Sequence, residues 1–241
     1  MTLVSDRFTA AAACYDEAAR IQPIVAARLA GRLTCNPKRV LEIGCGTGGL
    51  SAHLVRLFPD SEVVLSDISP AMLARCRQVI GDKPSYRLVD AQNVPADIGC
   101  FDLIVSSLAL QWVVDLPATL RRLIDCLNPA GHLAFAVLGD KNFQEWANLL
   151  AQVGAESGLH HYPSATAFLW PGSNQGLIEQ EFIAQHHKTG TAFVKSLKMI
   201  GANTPRAGHK PISPALMRQV LKASAAGLTV HYHVLYGCFI A

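Results

Sequence analysis

Apolar residues in this chain gather into short runs separated by longer stretches with helical spacing. Residues 40–43, 63–65, 86–89, 102–105 and 132–137 are short and rich in Val, Leu, Ile and Phe. Runs of that length and composition predict strands, and their continuity suits strands buried on both faces of a sheet. The intervening stretches read as helices. One covers 50–58 and is stopped by Pro59; another opens at Ser69-Pro70 with proline in its first position; a third covers 116–127 and ends at Asn128-Pro129-Ala130-Gly131. Upstream, Phe8, Ala12, Tyr15 and Ala19 recur at helical spacing, which predicts a helix over about 7–33, broken by Asn36-Pro37. Beyond residue 142 the pattern predicts a helix to about 157, a strand over 178–187, helices over 191–200 and 214–226, and a final strand over 228–240. Strands alternating with helices of about ten residues mean right-handed βαβ units and a parallel sheet covered on both faces, an α/β fold. There is no internal repeat and no low-complexity linker, so one domain is expected.

Composition narrows this further. Half of the 241 residues are hydrophobic and 16% are charged. That excludes a disordered chain, a coiled coil and a collagen-like fibre. The seven cysteines are odd in number and none has CxxC spacing, so neither a disulfide scaffold nor a zinc ribbon is expected. They read as small buried residues in a reducing cytoplasm. Nine histidines form no HExxH or Cys/His pattern, and no metal site is expected. The N-terminus lacks an apolar signal core, and the most apolar run, 101–114, is short and interrupted by Asp102, Ser106, Ser107 and Gln111. No membrane association is expected. The net charge of +3 hides an asymmetry: residues 182–241 contain no Asp or Glu but seven Lys and Arg, so residues 1–181 carry −4. Such a tail points to an acidic partner or substrate. Nucleic acid is disfavoured, because no arginine-rich cluster with interleaved aromatics is present.

Chemistry enters at Glu42-Ile43-Gly44-Cys45-Gly46-Thr47-Gly48-Gly49, a glycine loop between a predicted strand and a predicted helix. Glycines there allow a sharp turn and a close backbone approach to a ligand. Gly44-x-Gly46-x-x-Gly49, with Asp67 at the end of the second strand, fits a dinucleotide fingerprint. Gly44-x-Gly46-x-Gly48 preceded by Glu42 fits a loop for S-adenosylmethionine. Three features favour the second. Glu42 suits a cationic ligand and would not help an anionic pyrophosphate. Asp90 closes the third strand, where it can accept a hydrogen bond from the adenine amino group. The fourth strand runs into Ser106-Ser107-Leu108-Ala109-Leu110-Gln111-Trp112, placed to meet a methyl donor and its acceptor.

From about residue 40 to 137 these motifs resemble the class I S-adenosylmethionine-dependent methyltransferases. The resemblance implies a Rossmann-like three-layer sandwich, whose seven-stranded, mostly parallel sheet has an antiparallel last strand. It also implies roles: Glu42, Gly44, Cys45 and Gly46 line the methionine part, Asp67 grips the ribose, Ile68 and Met72 flank the adenine, Asp90 and Ala91 read its edge, and Ser106 and Ser107 close over the sulfonium. A narrower likeness lies outside that core. Phe8, Ala11, Ala12, Tyr15 and Asp16 with Gln22, then 108–112 with Asp115-Leu116-Pro117, then Ser196, Leu197, Lys198, Ile200, Gly201, Ala202 and Arg206, then Leu228-Thr229 with Tyr232-His233, are similar to the malonyl-acyl-carrier-protein O-methyltransferases of biotin synthesis. That likeness implies an N-terminal helical lid over 1–35, a cofactor core over 38–140 and a helical insertion over 188–226.

Within this family the reaction moves a methyl group to the free carboxylate of a malonyl thioester on acyl carrier protein. Carboxylates titrate near pH 4, so none needs a general base. Alignment and exclusion of water would carry catalysis. Tyr15, Gln111 and Trp112 are the expected positioning residues, with Tyr15 also closing over the cofactor, Gln111 donating to the acceptor carbonyl and Trp112 walling the acceptor pocket. Lys198 and Arg206 are the candidates to read the substrate carboxylate. The basic tail would receive the acidic carrier protein. Rivals are a methyltransferase for a free polycarboxylate such as trans-aconitate, one acting on a quinone ring carbon, and an assembly factor of the same fold acting on a protein partner.

Overall fold

The computed structural model describes residues 9, 19–168, 176–200, 205–206 and 208–241. Its strands are β1 (Arg39–Ile43), β2 (Glu62–Asp67), β3 (Ser85–Leu88), β4 (Phe101–Ser107), β5 (Leu127–Leu138), β6 (Leu177–His187) and β7 (Leu228–Ile240). They form one sheet in the order β3-β2-β1-β4-β5-β7-β6. The first five run parallel, and β7 is antiparallel to both β5 and β6. This is the predicted α/β sandwich with its antiparallel last strand.

Helices α1 (Gln22–Ala30), α2 (Ser51–Leu57), α3 (Pro70–Ile80), α4 (Leu116–Ile124), α5 (Gln144–Gln152), α6 (Gly190–Met199) and α7 (Pro214–Ala223) cover the sheet. Strand alternation divides the core into two layers. Val40, Leu103, Val105, Ala134 and Ala136 pack beneath α1, α2, α5, α6 and α7. Leu41, Ile43, Ile104, Leu133 and Phe135 face α4 through Leu120 and Leu123. Burial on both faces is why these strands read as continuous apolar runs. Helix starts follow capping chemistry: Ser69 accepts from the Met72 amide at 3.3 Å, and Asp115 from the Ala118 amide at 2.9 Å.

Three expectations are corrected. The helix expected over 7–33 is not helical at residues 19–21: α1 begins at Gln22 with Pro23 in its first turn, where a missing N–H costs nothing. Asn128-Pro129-Ala130-Gly131 does not separate α4 from β5. It lies inside β5, in a bulge against β4 where Ala130 takes φ +60°. The Ala130 and Ala241 amides pair with the carbonyls of Ala241 and Gly131, and these bonds extend the strand backwards. Of the six described cysteines only Cys45 and Cys76 are fully buried, while Cys100 is exposed.

Candidate active site

The carboxyl ends of β1, β2 and β4 and the start of the loop after β3 meet over the glycine loop. Gly44 and Gly46 adopt φ of +72° and +53°, values that L side chains rarely take. A Cβ on Gly44 would sit 2.3 Å from the Ala109 Cβ, so the loop after β4 packs directly onto it. A Cβ on Gly46 would meet nothing within 4 Å. Gly44 is thus required by packing, and Gly46 by its backbone and by the open space above it.

Glu42 points to the α1 side at the end of β1 and is 1% exposed. The Ser51 hydroxyl donates to its Oε2 at 2.5 Å. Burial pushes its carboxyl up to about 8, against the Ser51 hydrogen bond, and the nearby Cys76 and Asp67 add to the rise. Asp67, also buried, accepts from the Gly46 amide at 2.9 Å and from the Ser69 amide at 2.8 Å. Burial raises its pKa, and these amide hydrogen bonds oppose the rise. Asp67 therefore clamps the glycine loop to the start of α3 while keeping lone pairs for a ligand. Asp90 accepts from the Gln92 amide at 2.9 Å, which fixes the turn after β3.

Two cavities flank the loop and share Gly44, Gly46 and Ser107. One, of about 190 Å³, is bounded by Asp67, Ile68, Met72, Asp90 and Ala91. The other, of about 150 Å³, is bounded by Gln22, Glu42, Cys45 and Thr47. The first has adenosine-like lining, apolar faces with two carboxylates. The second ends on a buried carboxylate suited to an ammonium group. A third chamber, of about 230 Å³, shares Leu108 and Trp112 with the first and Gln22 with the second. Phe143, Trp146, Leu197, Met217 and Tyr232 give it a mostly apolar wall. Phe193, fully buried, supports that wall through edge contacts with Phe143 and Trp146 at 5.1 and 5.3 Å.

The structure brings most of the expected residues together, with exceptions. Ser106 is fully buried and donates to the Ile43 carbonyl at 2.8 Å, tying β4 to β1; only Ser107 reaches the cavities. Gln111 lines the third chamber, but its Nε2 is committed to the Leu108 carbonyl at 2.8 Å. Its Oε1 accepts no hydrogen bond, and the second hydrogen of its Nε2 is what is left for an acceptor carbonyl. Neither Lys198 nor Arg206 lines the chamber: Lys198 is exposed on α6, and Arg206 is ion-paired with Glu156. Tyr15, with Phe8, Ala11, Ala12 and Asp16, lies outside the described residues, as do 201–204.

Sequence reasoning missed Ser51, the partner of Glu42, and the chamber residues His160, Tyr162 and His209. It also missed Leu108, which stands between the first and third cavities at φ +51°. A non-glycine residue in that conformation marks stored strain, and no local pattern announces it.

Comparison with known proteins agrees with this geometry. A family described as "Methyltransferase domain" matches residues 40–131. A malonyl-[acyl-carrier protein] O-methyltransferase of Magnetococcus marinus is 43% identical over 93% of this chain and 87% of its own length. One of Halorhodospira halophila is 31% identical over 95% and 84%. The biotin biosynthesis bifunctional protein BioCD of Bordetella avium is 39% identical over 97% of this chain, which spans 51% of that longer protein. Among solved structures, the Bacillus subtilis protein YcgJ superposes with a TM-score of 0.61 at 14% identity, covering 90% of this chain and 97% of that one. The fold, the paired cavities at the glycine loop and these full-length similarities place the chain in the malonyl-[acyl-carrier protein] O-methyltransferase family.

Proposed function

We propose that this protein methylates the free carboxylate of a malonyl thioester on acyl carrier protein, with S-adenosylmethionine as methyl donor and S-adenosylhomocysteine as product, a step of biotin synthesis. The observation that carries this reading is the junction of three cavities at Gly44, Ser107 and Leu108. A buried carboxylate lies on one side of it and a mostly apolar chamber on the other.

The residues fit the donor. Glu42, starved of solvent, gains most from a cationic ligand group. Asp67 keeps lone pairs for ribose hydroxyls. Ile68, Met72 and Ala91 offer apolar faces to a purine, and Asp90 offers an acceptor. Gly44, Cys45 and Gly46 bring the backbone close to the methionine part. S-adenosylmethionine, when bound, supplies a methyl group on a positively charged sulfur.

The acceptor carboxylate is ionised at neutral pH and is itself the nucleophile, so the reaction needs no general base. Opposite charges on nucleophile and sulfonium cancel as the methyl moves. Trp112, Phe143, Trp146 and Tyr232 exclude water and so favour that step. Leu108 and Trp112, common to donor and acceptor cavities, set the line of approach.

No Lys or Arg lines the chamber among the described residues. A single carboxylate held by Trp112, Tyr162 or histidine donors suits such a wall. A free polycarboxylate such as trans-aconitate, with several charges to neutralise, does not. The exposed lysines 195 and 222 on α6 and α7, in the stretch without acids, provide long-range attraction for an acidic carrier. The test is methyl transfer from labelled S-adenosylmethionine to malonyl-acyl carrier protein, with trans-aconitate alongside. Ester formation on malonyl alone is expected, and transfer to trans-aconitate alone would replace this reading.

A further inference from the structure

A fourth cavity, of about 480 Å³, runs between α4 and the loop around residues 161–168. It shares Gln111 and Tyr162 with the acceptor chamber. Its walls are largely apolar, from Leu110, Val113, Leu116, Leu120, Pro163 and Phe168. At its edge Val114 is 93% exposed, an unusual position for a branched aliphatic side chain beside an active site. Arg121 is the cation lining it among the described residues, exposed on the last turn of α4 next to the equally exposed Arg122. No carboxylate among the described residues pairs with Arg121, whereas Arg28, Arg32, Arg39, Arg77, Arg87 and Arg206 each hold one.

We propose that this groove is the entry channel for the pantetheine arm of the substrate, with Arg121 facing the arm's phosphodiester. The proposal rests on the thioester reading above and assigns the route by which that thioester reaches the chamber. Three observations point the same way. The groove adjoins the acceptor chamber across the shared Gln111–Tyr162 wall. Its size falls within the range of about 300–1,000 Å³ typical of sites that enclose a small organic ligand. The groove's two charged linings lie at opposite ends of α4: Asp115 is engaged as the helix cap by the Ala118 amide, whereas Arg121 in the last turn offers a phosphate a bidentate donor pair.

The wall between groove and chamber adds a fourth. Gln111 Oε1 is shut off from solvent without a donor, while its Nε2 is engaged by Leu108. A buried acceptor left unpaired is costly, and an amide N–H of the arm would satisfy it once seating of the arm parts that wall. Seated there, the arm delivers its acyl end to Trp112 and Leu108, and the carrier itself stays outside over α4. Long-range attraction from the C-terminal lysines governs encounter; the groove governs seating of the arm.

The bland role for Arg121 is a cation complementing the carbonyl end of α4. Substrates that differ only in the arm separate the two. Malonyl-acyl carrier protein and malonyl-coenzyme A carry the arm's phosphate, and malonyl-N-acetylcysteamine does not. With Arg121→Glu, the kcat/KM advantage of each phosphate-bearing thioester over malonyl-N-acetylcysteamine should shrink about tenfold, and Arg121→Lys should restore part of it. An unchanged ratio, with all three thioesters slowed equally or none slowed, overturns the channel. If the unmodified protein methylates none of the three, the thioester reading fails first, and that outcome is visible before any variant is made.

Discussion

Glu42 holds a built-in conflict between folding and binding, and Glu42→Gln resolves it in one direction. In the unfolded chain this carboxyl titrates near its ordinary 4.5, while burial in the fold pushes it up to about 8. Between those values the ligand-free folded state binds more protons than the unfolded state, so its stability falls as pH rises. At pH 7 the accumulated cost is about 3 kcal/mol, taking about 1.4 kcal/mol per unit over the interval from 4.5 to 7. Glutamine matches the protonated carboxyl in shape and keeps an acceptor for Ser51, so it removes that cost. The ligand-free variant should gain up to about 3 kcal/mol at pH 7. For a chain of this size that is about 6–12 °C in Tm. The gain should dwindle to under about 1 kcal/mol at pH 5, which lies only half a unit above the unfolded-state value of 4.5. Binding should move the other way. A cationic ligand expels the proton, so cofactor affinity of the unmodified protein should rise with pH between 6 and 7.5. Calorimetry in buffers of different ionisation enthalpy should register nearly one proton released at pH 7. Glu42→Gln should bind weakly and without that pH slope. A variant that melts at or below the parent at pH 7, or a parent whose affinity is flat with pH, refutes the reasoning.

Four further outcomes follow from the structure. Gly44→Ala forces a Cβ to 2.3 Å from the Ala109 Cβ at a positive φ, so chemical denaturation should show a loss of about 2–5 kcal/mol. Gly46→Ala meets open space; its stability should drop only about 1–2 kcal/mol, while cofactor affinity measured by titration falls at least tenfold. Phe193→Ala hollows the support beneath the acceptor wall and should lower stability by about 3–5 kcal/mol; steady-state kinetics should show a raised KM for the acceptor with the cofactor constant little changed. Lys195→Glu and Lys222→Glu should slow reaction with malonyl-acyl carrier protein several-fold at low salt, converge with the parent at high salt, and leave malonyl-N-acetylcysteamine turnover alone.

What was legible in the sequence follows from locality. Strands buried on both faces write continuous apolar runs, and the acids at three successive strand ends fix where a cationic, hydroxylated ligand would sit. The errors have equally physical causes. The 128–131 run carries helix-stopping residues, yet its backbone is recruited into β5 by hydrogen bonds to the far end of the chain at Ala241, over a hundred residues away. Ser106 and Ser107 were both expected at the cofactor. Strand parity separates them: Ser107 falls on the same face as Leu103, Val105 and Glu42, and Ser106 on the other. The acceptor chamber had no such code. Its lining comes from segments between residues 22 and 232 that meet only in the fold, and its strained Leu108 and Phe143 adopt positive φ without glycine. Arg206 and Lys198 looked like carboxylate readers by charge alone, and charge does not say which way a side chain faces.

The central claim, methyl transfer to a carrier-bound malonyl carboxylate, is tested most directly by following the label. Methyl-labelled S-adenosylmethionine is incubated with the protein and malonyl-acyl carrier protein, and the carrier is then isolated and treated with mild base. A methyl ester is expected: label on the carrier's acyl group, released by base as methanol and absent when acetyl-acyl carrier protein replaces the malonyl form. Label that stays on the carrier after base, or carrier that remains unlabelled while trans-aconitate or another protein takes up the methyl group, contradicts the account.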